Sequence, residues 1–100
     1  MKDMKDRKPE NILHFCHRFA TDINTYYALG LELGLDGFFI DCNLFNYRND
    51  SLCMCLQHVL KTVRNSCISD EAFYNKLYDA MENIGMKYPY NEYLKNQPAI

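Results

Sequence analysis

The sequence lacks any long apolar run, and a membrane-spanning helix needs about 18 such residues in succession. Its longest apolar stretch, around Phe38-Phe39-Ile40, is far shorter. Only four glycines and three prolines occur, which leaves little room for long irregular loops. The charged start, from Met1 to Lys8, has no apolar stretch behind it that would make a secretory signal. These absences predict a cytoplasmic protein with no membrane partner.

An excess of one charge is also missing. The sequence holds 11 basic and 13 acidic residues, a net charge of −2, so the chain as a whole is not suited to neutralising phosphates. With 48% apolar and 24% charged residues, its composition is that of a folded globular domain and not of a disordered chain. A chain of 100 residues forms one domain with a single modest core.

Paired cysteine motifs are absent. The five cysteines are an odd number, and no two of them form a CxxC pair. We therefore expect reduced thiols and not a disulfide framework. Most of the cysteines fall at apolar-periodic positions, where a free cysteine behaves as a small buried hydrophobe.

Alternation of period two is absent too, and helical spacing dominates. Six helices are predicted over residues 9–21, 25–33, 36–43, 51–64, 70–84 and 88–94. The predicted N-caps are Asn24, Asp36, Asp50 or Ser51, and Ser69. Gly34 and Gly85 are predicted to end the second and fifth helices. The expected fold is an all-α domain over residues 9–94, with a charged tail over residues 1–8 and a second tail over residues 95–100.

The buried faces follow from spacings of three and four residues. For the first helix the predicted buried residues are Ile12, Leu13, Cys16, Phe19, Ala20 and Ile23. For the second and third helices they are Tyr26, Leu29, Leu33, Phe39 and Ile40. For the fourth and fifth helices they are Leu52, Cys55, Leu56, Val59, Leu60, Val63, Phe73, Leu77, Ala80, Met81 and Ile84.

The order of these residues over positions 10–94 resembles the death domain family. Its second helix reads aromatic-x-x-Leu-x-x-x-Leu-Gly-Leu, which Tyr26, Leu29 and Leu33 to Leu35 match in register, and Ile84-Gly85 matches the end of its fifth helix. The resemblance implies a six-helix antiparallel bundle of the death-fold Greek-key type. It also implies a non-catalytic adaptor that needs no cofactor and associates with like domains in cell-death or innate-immune signalling. The death effector, caspase-recruitment and pyrin relatives share this fold.

Charge is distributed in blocks along the chain. Residues 19–47 hold four acidic residues and no basic one, whereas the first and fourth helices carry basic residues. The family resemblance makes contact between a helix one/four face and a partner's helix two/three face an option. We therefore predict a basic face and an acidic face that meet head to tail. The basic face comprises Arg18, Lys61 and Arg64; the acidic face comprises Glu32, Asp36 and Asp41.

Metal and thiol chemistry are the first alternatives. His14 and His17 lie three residues apart on one predicted helix and could reach one metal, but Cys16 points into the apolar stripe and no partner motif supplies further ligands. Cys55 and His58 give two ligands at most. A cysteine nucleophile would need a histidine and an orienting acid in a cleft, and no spacing in the sequence supports such a set. We expect no metal site and no catalytic residue.

A small helical nucleic-acid-binding or regulatory domain is the other alternative. Gly34 joins the second and third helices as in a helix-turn-helix. The third helix, however, carries Asp36 and Asp41 without a basic residue, and it would repel a phosphate backbone. Tyr88, Tyr90 and Tyr93 lack the interleaved arginines of a platform for single strands, so packing is their expected use. We expect no nucleic-acid partner.

Overall fold

The computed structural model describes residues 8–97, and this part of the chain forms six helices and no strand. The helices are α1 (Ile12–Phe19), α2 (Ile23–Glu32), α3 (Gly37–Asn46), α4 (Leu52–Ser66), α5 (Asp70–Asn83) and α6 (Lys87–Lys95). The prediction of an all-α helical bundle is thus confirmed. Residues 1–7 and 98–100, which belong to the two predicted tails, lie outside the described residues.

Side-chain caps fix where five of the helices begin. Asp36, Ser51 and Ser69 each accept a hydrogen bond from the backbone N–H three residues later, as predicted. The predicted cap Asn24 is wrong: Asp22 Oδ1 accepts from the Thr25 N–H at 2.8 Å, so α2 begins earlier. Asn11 likewise caps α1 by accepting from the His14 N–H at 3.1 Å, which makes α1 start after Pro9 and shorter than predicted.

The helix ends differ from the predicted ends by a few residues. Gly34 and Gly85 adopt the positive φ values of +96° and +82°, as expected for residues that stop α2 and α5. The third helix runs to Asn46 instead of Asn43, because Leu44 on its last turn packs against the core. The last helix begins at Lys87 and tolerates Pro89 in its first turn, where the missing N–H has no helical partner to lose.

The buried face of α1 differs from the predicted one. Phe15, which was not assigned to the core, is fully buried, whereas Leu13 is 40% exposed and Ile23 is exposed at the start of α2. The stripe that faces the bundle is centred on Phe15, Cys16 and Phe19. The helical period allows either stripe, and only the position of the neighbouring helices selects between them.

The rings of α1 meet those of α6. Phe15 and Tyr90 have ring centroids 5.5 Å apart, and Phe19 and Tyr93 have centroids 5.4 Å apart, both pairs edge to face. Edge-to-face pairs of buried rings add to the stabilisation from their burial. Tyr90 and Tyr93 are therefore core residues, as expected, while Tyr88 is 75% exposed.

A contact at the ends of the described chain reinforces the packing of α1 on α6. The Gln97 side chain accepts a hydrogen bond from the Glu10 N–H and donates to the Lys8 carbonyl at 3.3 Å.

A buried polar side chain joins α2, α3 and α4. Asn43 Nδ2 donates to the Tyr26 hydroxyl at 2.8 Å and to the Cys55 carbonyl at 3.1 Å, and the Tyr26 hydroxyl donates to the Ile40 carbonyl at 3.3 Å. Burial raises the pKa of Tyr26 above its ordinary value. Next to this network, a Cβ at Gly30 would come within 2.8 Å of Ile40 Cδ1. These contacts place α2 and α3 antiparallel and in close approach.

Candidate protein-interaction surfaces

Two of the three predicted basic residues border one groove. This basic groove lies between α1, α4 and α5 and has a cavity volume of about 250 Å³. Half-buried Ile12 and Tyr74 form its walls. Its full lining is Ile12, Gln57, Leu60, Lys61, Arg64, Asp70, Phe73 and Tyr74. A groove with apolar walls and a charged rim is suited to binding an apolar side chain with acidic neighbours.

The two cations of this groove differ in what they contact. Arg64 Nε pairs with Asp70, and Arg64 Nη1 donates to the Cys67 carbonyl at 3.3 Å, so this guanidinium helps to join α4 to α5. Lys61 is exposed and makes no ion pair with any residue between 8 and 97. Lys61 is therefore the cation of the groove that is available to an incoming carboxylate.

Lys8, which was predicted to belong to the tail, adds a third cation. Its Nζ lies 5.5 Å from the centroid of the Tyr74 ring, at the wall of the basic groove. The next residue, Pro9, is buried and holds this part of the chain against the bundle. The signal in the sequence was the proline, because an apolar residue ahead of a capped helix commonly packs against it.

Arg18 does not join Lys61 and Arg64. It lines a different cavity, of about 260 Å³, together with Glu92, Tyr93 and Asn96 on α1 and α6. Its guanidinium lies 5.1 Å from the centroid of the Phe19 ring on its own helix. The predicted basic face is thus divided between two grooves.

The three predicted acidic residues all lie along α2 and α3 and define an acidic surface. Asp36 caps α3 by accepting from the Phe39 N–H at 2.7 Å, and Asp41 accepts from the Tyr27 hydroxyl. Glu32, at the end of α2, accepts from Asn83 Nδ2 at 3.2 Å. Because Asp36 and Asp41 also accept these hydrogen bonds, a substitution that removes their charge should keep an acceptor oxygen at the same place.

Lys76 lies near one end of this acidic surface. Lys76 Nζ is 3.7 Å from the position that a Cβ would take at Gly34. The cation is thus close to the turn that follows Glu32. Asp36 and Asp41, further along α3, make no ion pair with any residue of the described chain.

Apolar side chains are exposed beside the acidic residues. Phe38 is 79% exposed, and Phe45 and Leu31 are also exposed. Phe38, Asp41 and Phe45 recur at i, i+3 and i+7 and so share one side of α3. Phe45 is partly covered, because the Arg48 guanidinium lies 4.6 Å from its ring centroid. The sequence interpretation missed this feature, although the same spacing was readable in the sequence.

The residues considered for a metal site have other contacts. The His14 ring nitrogen Nδ1 lies 3.4 Å from the Tyr93 hydroxyl, and the His58 ring stacks on Tyr47 with centroids 3.8 Å apart. Cys16 and Cys55 are buried. Between residues 8 and 97, no three histidine, cysteine or acidic side chains come together as metal ligands would.

A polar cleft of about 330 Å³ between α3 and α4 is the place where a thiol and a histidine come together. Cys42, His58 and Lys61 line it. No carboxylate is among the described residues that line it; the amide side chains that line it are Asn43, Asn46 and Asn65, and Asn43 is engaged with Tyr26 and the Cys55 carbonyl.

The five cysteines are free, and they fall into two classes. Burial raises the pKa of the Cys16 thiol to about 12, and it raises the pKa of Cys53 and Cys55 as well. Cys42 and Cys67 are only partly buried. Because the thiolate is the reactive form, the two classes should differ in reactivity.

We expect iodoacetamide at pH 8 to modify Cys42 and Cys67 in the native protein and to leave Cys16, Cys53 and Cys55 unmodified, as measured by peptide mass spectrometry. In denaturant all five should react. Reductant and chelator should leave the melting temperature unchanged. Early modification of Cys16, or a melting temperature lowered by chelator, would contradict these expectations.

Comparison of this chain with family models, with curated proteins and with solved structures finds no match. The resemblance to the death domain family therefore remains a prediction. None of the helices between residues 8 and 97 combines the length and the apolar character that crossing a bilayer requires.

Proposed function

We propose that the chain is a non-catalytic interaction domain of the death-fold type, which associates head to tail with copies of itself or with related domains. In this proposal it acts as an adaptor in cytoplasmic cell-death or innate-immune signalling assemblies. The observation that carries it is the placement of opposite charges on different elements. Lys61 lines the basic groove and Lys8 lies by its wall residue Tyr74, whereas Asp36 and Asp41 lie on α3.

Features of the fold that agree with the family pattern support this proposal. Tyr26, at the position where the family has tryptophan, is fully buried, as are Leu29 and Leu33. Gly34 and Gly85 end their helices with positive φ. The antiparallel approach of α2 and α3 agrees with a Greek-key bundle of six helices.

The placement of the charges determines the kind of assembly. A contact between two different surfaces of identical subunits is not completed by two copies. It generates a ring where the rotation between subunits closes, and a helical oligomer where it does not. Each exposed ion pair contributes only about 0.2–1 kcal/mol, so several pairs act together and salt weakens them. The acidic α3 gives no support to a nucleic-acid partner.

We expect light scattering to show oligomers that grow with protein concentration and dissociate as salt rises. Lys8→Glu with Lys61→Glu should weaken association by about tenfold or more, because two attractive pairs become repulsive. Asp36→Asn with Asp41→Asn should also weaken it. Asparagine is the right replacement at position 36, because it keeps the N-cap while removing the charge.

Mixing the two double variants gives a further test. Each variant keeps one intact surface, so the mixture should form a 1:1 complex that cannot extend, with twice the monomer mass of 11.8 kDa. Lys95→Glu and Asp79→Asn, exposed charge changes elsewhere, should assemble like the wild type. A wild type that stays monomeric at low salt, alone and with related domains, would overturn the proposal.

The divided basic face allows one more comparison. Arg18→Glu changes the groove on α1 and α6 without touching Lys61 or Arg64. A loss of association as large as that from Lys61→Glu would place both grooves in the contact, whereas no loss would restrict the contact to the basic groove.

A further inference from the structure

We infer that Phe38 of one copy inserts into the basic groove of the next copy and is the apolar anchor of the head-to-tail contact. This inference rests on the proposed function and specifies the occupant of the groove. It is carried by an exposed ring with acidic neighbours and by a groove with apolar walls and basic neighbours, both present on the same chain.

Phe38 is placed to act as an anchor. It lies in the first turn of α3 and is 79% exposed. The cap that Asp36 forms on the Phe39 N–H fixes the backbone next to the ring. Asp41 follows Phe38 by three residues and so shares its side of α3, while Asp36 caps the same turn. Aromatic side chains, phenylalanine among them, are enriched at protein interfaces.

The groove is suited to such a ring. Ile12 and Tyr74 are its half-buried walls, and the buried side chains of Leu60 and Phe73 lie beneath them. Lys61 lines the groove, and Lys8 Nζ lies 5.5 Å from the ring centroid of its wall residue Tyr74. Neither lysine has an ion-pair partner in the described chain. The one carboxylate that lines the groove, Asp70, is paired with Arg64. The groove thus offers apolar walls and unpaired positive charge.

Two further cavities of the described chain, and the exposed ring of Phe45 on the same helix, fit less well. The cleft between α3 and α4 is lined by polar Asn46, Thr62 and Asn65, and the cavity at Arg18 includes Glu92. Phe45 carries the Arg48 guanidinium against its ring, a cation that a basic groove would repel. Charge complementarity therefore selects Phe38 as the ring and the basic groove as its binding site.

The first test is Phe38→Ala. Burial of a large apolar side chain corresponds to a change of about tenfold to a hundredfold in affinity. We expect association, followed by light scattering, to weaken by at least tenfold while the melting temperature stays within a degree or two of the wild type, because the ring contributes little to the fold. Tyr88→Ala is the matched control, since Tyr88 is 75% exposed on α6 and belongs neither to the lining of the basic groove nor to the acidic surface on α2 and α3.

The second test identifies the occupant directly. A p-benzoylphenylalanine placed at position 38 should, on irradiation of the assembled protein, cross-link to peptides that contain residues 57–74 of another copy. Mixing light and heavy isotope-labelled protein distinguishes links between copies from links within one chain. The same group placed at position 88 should give no cross-link to that segment.

The results of these experiments distinguish a failure of the Phe38 anchor from a failure of the proposed function. If the charge variants weaken association but Phe38→Ala assembles like the wild type, the anchor is wrong and the charged contact stands. Cross-links from position 38 to position 38 of another copy would also overturn the anchor, because they indicate a symmetric contact. A wild type that stays monomeric overturns both.

Discussion

Replacing Phe15 with alanine is expected to lower the free energy of unfolding by about 3–5 kcal/mol, the range for large-to-small changes at a buried aromatic residue. Phe15 is fully buried and contacts rings on both of its sides, with centroids 5.0 Å from Phe19 and 5.5 Å from Tyr90. Truncation removes the Phe15 ring from the contact between α1 and α6 and leaves a cavity in the core. Denaturant unfolding followed by circular dichroism measures the loss.

Leu13→Ala is the matched control for this experiment. Leu13 lies on the same helix, but it is 40% exposed and packs little against the core. We expect a change within about 0.5 kcal/mol, which is usual for surface substitutions. If the two variants lost equal stability, the orientation of α1 described above would be wrong and the stripe predicted from the sequence would be right.

The second large effect is expected from Asn43→Asp. The two side chains have nearly the same shape, but an ionised carboxylate at this buried position would face the Cys55 carbonyl, which it cannot bind as a donor. Burial disfavours the charged form and raises the pKa of the new carboxyl above its usual value of about 3.9. At pH 7 we expect a loss of about 3–5 kcal/mol relative to the wild type.

The loss of stability in Asn43→Asp is expected to grow as the pH rises. Below about pH 4 the carboxyl is neutral in both the folded and the unfolded state, and the protonated group can still donate one hydrogen bond. As the pH rises, the unfolded state ionises first, so the stability of the variant relative to the wild type falls until the folded pKa is passed. Urea unfolding at several pH values measures this difference.

Asn24→Asp provides the matched charge change at an exposed position. Asn24 lies in the first turn of α2, where a carboxylate interacts favourably with the helix dipole. We expect a change of about 0.5 kcal/mol or less in either direction, with little dependence on pH above pH 5. A loss of stability in Asn43→Asp that did not grow with pH would show that the buried network depends on the two hydrogen bonds that Asn43 Nδ2 donates and not on the absence of charge.

Local chemistry explains which parts of the fold could be predicted from the sequence. Asp36 and Ser69 are followed by helical runs and cap them, and Gly34 and Gly85 are the residues that adopt positive φ most readily. Such signals act over three or four residues and need no knowledge of the rest of the fold.

Predictions failed where the outcome depends on what lies far away in the sequence. Asn24 and Asp22 are both good caps, and the more N-terminal one is used, which extends α2 at its start. The choice between Leu13 and Phe15 depends on where α6 lies, more than 70 residues later, because Tyr90 packs on Phe15. Periodicity within one helix does not contain that information.

The candidate surfaces, too, could be predicted from the sequence only in part. Charge blocks along the sequence identified Lys61 and Asp41, but only the packing of the helices places Arg18 at a separate groove and brings Lys8 to Tyr74. The exposed Phe38 could have been recognised from its spacing with Asp41. Its relation to the basic groove follows only from the arrangement of α1, α4 and α5.

The hydrogen bonds between Gln97 and the residues at positions 8 and 10 bear on the order of folding. These hydrogen bonds join residues that are separated by 87 and by 89 positions in the sequence. Docking α6 against α1 therefore closes almost the whole described chain into one loop. The entropic cost of closing a loop grows with its length, whereas α2, α3 and α4 meet over short separations. Undocking α6 alone would expose Tyr90, Tyr93 and the faces of Phe15 and Phe19 that these rings cover, while the contacts among α2, α3 and α4 stay in place.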